Sequence, residues 1–165
     1  MDKSALLRLL PRDKNDVAGA ASLIDLGFPV VEPVLPQLID WLRTNGSPVD
    51  LALRPFFASL GERAVPVVRT VLEGKHELHQ YTVLSAVLSK WPKHAVAQLV
   101  PDLERLVTSA GYYAVDLIAM ELLARFNLSR TEWLLEWTQH KQRRLDEHSA
   151  LLMQVRNNLE GSRAT

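Results

Sequence analysis

Apolar residues recur along this chain at steps of three and four almost throughout, and no run of strict alternation interrupts them. That period predicts helices and argues against strands. Turn and cap residues then place the joints. A short helix fits Ser4 to Leu10 and stops at Pro11; a second opens on Asp16 as N-cap and runs to Leu26, where Gly27 and Pro29 end it. Val34 to Arg43 reads as a third, followed by the turn Asn45-Gly46. Ser47-Pro48 pairs an N-cap with a proline at the first helical position and opens a fourth, expected to kink near Leu51 to Arg54 because Pro55 lies inside it and to end at Gly61. Further helices fit Ala64 to Leu72, Leu78 to Lys90, Ala95 to Thr108 and Tyr113 to Phe126, with Gly74, Trp91-Pro92, Gly111 and Asn127 at the joints. Ser129 to Leu159 is helical in pattern throughout, as one helix or two. The fold class is all-α.

An internal repeat sharpens this. Leu35-Pro36-Gln37-Leu38-Ile39-Asp40-Trp41-Leu42 aligns with Val65-Pro66-Val67-Val68-Arg69-Thr70-Val71-Leu72, and again with Val100-Pro101-Asp102-Leu103-Glu104-Arg105-Leu106-Val107. Each copy reads aliphatic, proline, any residue, aliphatic, two mostly polar residues, then two apolar ones, at offsets of 30 and 35 residues. Units of that length match helical-hairpin repeats, whose apolar stripe is buried only when neighbours stack. The expectation is a HEAT-like α-solenoid of about four hairpins, residues 1–128, followed by a C-terminal helical extension over 129–165. The prolines belong in first turns and carry no chemistry.

The order Leu9-Leu10-Pro11-Arg12-Asp13-Lys14, Leu26-Gly27-Phe28-Pro29, Pro33-Val34-Leu35-Pro36 with Trp41-Leu42, then Ser47-Pro48-Val49 and Ala64-Val65-Pro66, resembles a bacterial HEAT-like domain family that carries a domain-of-unknown-function label. The resemblance spans roughly residues 9–107 and rests on packing and turn signals. It implies a fold and no activity, and through some relatives an association with toxin immunity. The chain departs from the pattern in having Gly46-Ser47 where an aromatic residue commonly precedes the proline, and in an extension past Ser129 longer than the family needs.

Composition narrows the function classes. The 165 residues are 47% hydrophobic and 23% charged, so one domain with a real core is affordable and disorder is not the main state. Nineteen Lys and Arg balance nineteen Asp and Glu, which supplies no field to steer the chain to a polyanion. Cysteine is absent, which removes disulfides, thiolate nucleophiles and Cys-held metals. No stretch of about 18 apolar residues could span a bilayer, and Arg8 and Pro11 break the only N-terminal apolar run, so a cytoplasmic protein without a membrane role is expected.

Candidate chemistry is sparse. His76 and His79 could approach across a helical turn, but without HExxH spacing or a third ligand they read as polar first-turn residues. Glu132 and Glu136 lie one turn apart and read as a solvated pair. No phosphate loop, GxSxG elbow or dinucleotide fingerprint occurs among the seven glycines, so the chain reads as no enzyme, with no cofactor and no metal. His140-Lys141-Gln142-Arg143-Arg144 beside Trp133 and Trp137 is the best nucleic-acid signal, yet residues 129–165 hold six Lys or Arg against five Asp or Glu. A second stripe, Leu134, Thr138, Lys141, Leu145, His148, Leu152, Val155, Leu159, steps by fours and threes, and its later half suits a coiled-coil seam or docking into a groove, which allows a homodimer through this helix. The reading that results is a protein-binding module, in its sharpest form an immunity protein that neutralises a toxin. Its partner face is assigned to Gln37, Asp40, Arg43, Arg69, Thr70, Asp102 and Arg105, which mix both charge signs, with Trp133 and Trp137 as aromatic anchors.

Overall fold

Three helices begin the same way. The residues before the paired aliphatic-proline steps, Val34, Ala64 and Leu99, have φ of −117°, −95° and −109° with ψ of 3°, −1° and 10°. This near-bridge backbone turns the chain sharply, and Pro36, Pro66 and Pro101 then sit in first turns, where the missing N–H has no helical partner to lose. The helices they open are α3 (Leu35–Ile39), α5 (Val65–Glu73) and α8 (Val100–Val107). Their buried faces repeat as well: Leu35, Leu38 and Ile39; Val65, Val68, Val71 and Leu72; Leu103, Leu106 and Val107.

The computed structural model describes residues 2–109, 111 and 113–162, and among these it is all-helical with no strand. The other helices are α1 (Lys3–Leu7), α2 (Val17–Leu26), α4 (Pro48–Leu60), α6 (Glu77–Thr82), α7 (Lys93–Ala97), α9 (Val115–Arg125) and α10 (Thr131–Ser162). Asp16 caps α2 through a bond from Gly19 N–H, and Ser47 caps α4 through one from Asp50 N–H. The Asp16 carboxyl lies below its ordinary range because the backbone N–H groups of Arg12 and Gly19 both donate to it.

Several expected boundaries are corrected. The helix expected over Ala95 to Thr108 is two, because Pro101 cannot donate to a carbonyl four residues back and Gln98-Leu99 breaks the run. The stretch from Leu78 to Lys90 passes from α6 into a π turn over Val83–Val87 and a 3₁₀ turn over Leu88–Lys90. Beyond α3 the chain tightens to 3₁₀ over Asp40–Thr44. The fourth helix keeps its expected bounds, running through Pro55 from Pro48 to Leu60 between Ser47 and Gly61.

The chain divides into two compact units between Leu128 and Ser129. In the first, α5 packs on α3 on one side and on α8 on the other, while α4 packs on α2 and on the π turn, which in turn meets α9. Phe57, Leu53, Leu72, Leu84, Leu88 and Leu103 are fully buried between these rows. Polar ties join them across 29 to 40 residues of sequence, from Arg69 with the Gln98 carbonyl to His79 with that of Ile39. Arg43 bonds His79, Arg69 bonds Asp102, Trp91 Nε1 bonds the Phe57 carbonyl, Arg105 bonds the Leu72 carbonyl and Arg125 the Ser89 carbonyl, spanning 36, 33, 34, 33 and 36 residues.

The second unit is the single helix α10; of the expected extension, residues 163–165 lie outside the described residues. Its Leu145, Leu152, Val155 and Leu159 are exposed, Leu152 to 70%.

Candidate functional site

The polar ends of α3 and α5 and the start of α6 enclose a cavity of about 290 Å³. Asp40, Arg43 and Thr70, all expected on the partner face, line it together with Lys75, His76 and His79. Pro36, Ile39, Val67 and Val71 form its apolar walls. Arg43 lies between two acceptors. Its Nη2 is 2.9 Å from Asp40 Oδ1, and its Nε donates to His79 Nδ1 at 3.3 Å.

His79, expected as a polar first-turn residue, lies in that first turn but is buried, only 2% exposed. Its Nε2 lies 2.8 Å from the Ile39 carbonyl, so that nitrogen carries the proton of the neutral ring and Nδ1 is left to accept from Arg43. Burial lowers the His79 pKa to about 4, with the Arg43 guanidinium acting in the same direction and the Ile39 carbonyl opposing. A signal for this was present: His79 and Gln80 stand four residues before Val83 and Leu84, extending their buried stripe backwards. His76, by contrast, is exposed and caps α6, its Nδ1 accepting the His79 backbone N–H at 3.2 Å.

The remaining expected residues divide between exposed and engaged. Gln37 is exposed on α3. Thr70 donates to the Pro66 carbonyl one turn back. Asp102 is buried, 8% exposed, and held by Arg69 and Arg105, so these three side chains tie α5 to α8, and only the two arginines reach outward. Arg105 also lines a neighbouring cavity of about 260 Å³ that shares Gly74 and Lys75 with the first. On α10, Trp133 and Trp137 are half-buried and meet edge to face with ring centres 6.3 Å apart, and Lys141 Nζ lies 5.6 Å over the Trp137 ring. Glu132, Glu136, Arg143 and Arg144 are all exposed. Among the described residues, no three His, Asp or Glu side chains are grouped as metal ligands, and no helix is long and apolar enough to cross a membrane.

The matched family model is described as a domain of unknown function, DUF5071, and covers residues 9–122. The chain belongs to the DUF5071 family. The DUF5071 match takes in every residue that lines the 290 Å³ cavity, and it ends within α9, before the second unit begins. It carries a family and no activity. No curated protein matches the chain.

Proposed function

We propose that this DUF5071 chain is a non-catalytic capture module, a short HEAT-like α-solenoid whose stacked α3, α5 and α8 present a polar face to a protein partner. In its sharpest form it is a cytoplasmic immunity protein that binds and neutralises a toxin; that form rests on the family resemblance of the sequence. The observation that carries the capture reading is the exposed, mixed-sign set Asp40, Arg43, Thr70 and Arg105 at the ends of three helices packed in series. Alternating charges of this kind complement a protein surface, whereas a polyanion selects one sign.

The test is capture by the tagged chain from a lysate of its native host, beside the double variant Asp40→Lys, Arg43→Glu. One stoichiometric protein companion that survives nuclease, and is lost with the variant, is the expected result. Recovery of nucleic acid that falls away as salt rises overturns it.

A second reading is favoured by the exposed Leu145, Leu152, Val155 and Leu159 of α10, whose steps of seven, three and four fit a coiled-coil seam. Light scattering of the full chain at twice the monomer mass, restored to monomer by Leu152→Asp, identifies a homodimer built through that helix.

A further inference from the structure

The rim of the 290 Å³ cavity carries more uncommitted donors than acceptors. Of its lining carbonyls, that of Gly74 accepts from Gln80 and that of Ile39 is bonded to His79. The Asp40 carboxylate is neutralised by Arg43, whose Nε is occupied by His79. Besides the N–H groups that Arg43 does not spend on Asp40 and His79, two more donor side chains line the rim. Lys75 is exposed and makes no ion pair among the described residues. His76 has its Nδ1 occupied by the His79 N–H, so its neutral ring carries a proton on Nε2. With Asp40 and Arg43 cancelling and His79 held neutral, the ammonium of Lys75 is the net charge of the site.

A cavity of this size lies at the lower edge of small-molecule pockets, so it suits one side chain better than a large ligand. Ionised carboxylates only accept hydrogen bonds and favour ammonium and imidazole donors. Pro36, Ile39, Val67 and Val71 supply the apolar contact that the methylenes of such a side chain need.

We propose that this cavity receives the carboxylate of a glutamate or aspartate side chain from a protein partner, paired with Lys75 and hydrogen-bonded by His76. Arg43, oriented by His79 and Asp40, is a positioning residue that closes the wall beside it. The source of the side chain rests on the capture reading above; the chemistry of the cavity does not.

The test needs no partner. Amide signals of the full chain are followed by NMR during titration with N-acetyl-glutamate amide, its neutral glutamine counterpart, and inorganic phosphate. The glutamate derivative is expected to shift Gly74, Lys75 and His76. The glutamine derivative should bind at least about tenfold more weakly, and Lys75→Gln should abolish the response without moving signals elsewhere. Equal binding of the two amides, or no shift up to about 100 mM, overturns the proposal. Tighter binding of phosphate also overturns it, and assigns the site to a free anion. A silent titration beside a successful capture defeats this inference alone; a clean titration with no captured protein defeats the capture reading alone.

Discussion

The buried ring of His79 makes the folded protein sensitive to acid. In the unfolded chain its imidazole titrates near 6.5, whereas in the folded chain it titrates at about 4 because protonation would charge a buried ring facing Arg43. Between those values the unfolded chain binds the extra proton, so stability rises with pH across the window and is lost as pH falls through it. Below about pH 4 the difference is complete, on the order of 3 kcal/mol, and above about pH 6.5 it vanishes. Urea melts between pH 4 and 7 should show this slope in the native chain and lose most of it in His79→Gln. An unchanged slope in the variant assigns the effect elsewhere. This part of the site was hidden in the sequence because a histidine at a helix start reads as a polar first-turn residue. Only its step of four to Val83 betrayed its burial.

At the level of elements, boundaries written in backbone chemistry were legible. Asp16 and Ser47 accept the N–H groups their positions predict, and the three aliphatic-proline steps open three helices with the same entry conformation. What could not be read was set by packing: the π turn over Val83–Val87, and the way Trp91 reaches back to α4. Trp91 marks a joint in the sequence, yet it is buried, and its indole N–H donates 3.1 Å to the Phe57 carbonyl near the end of α4. Trp91→Phe keeps an apolar ring but leaves that buried carbonyl without its donor. The expected loss is about 2 kcal/mol by chemical denaturation, with the helical circular dichroism unchanged. A neutral outcome shows that the carbonyl finds another donor.

For the whole molecule, the division between Leu128 and Ser129 carries a direct expectation. Among the described residues, every core residue belongs to the first unit, so a chain ending at Leu128 should keep its cooperative melt and lose only the helical signal of α10. Loss of the cooperative transition would show that α10 contributes to the core. The partner face assigned from sequence was legible as a pattern and only partly as a site. Asp40, Arg43 and Thr70 do share one cavity, but Asp102, Arg69 and Arg105 also hold α5 to α8, a duty that periodicity alone does not reveal. Lys75 and His76 were missed as lining residues because they occupy the joint after α5, outside the repeated pattern.

The overlap of the polar ties has a mechanical consequence. Arg43–His79 spans residues that Phe57–Trp91 also spans, and Arg69–Asp102 and Leu72–Arg105 overlap both Phe57–Trp91 and Ser89–Arg125. Tension applied between the two ends of the first unit is therefore shared by neighbouring fasteners, and the rupture of one is bridged by the next. Stretched singly, such a molecule should hold until several ties fail together and then lengthen in one large step. Shingles nailed through one another's edges resist a pull in the same way, and then come away together.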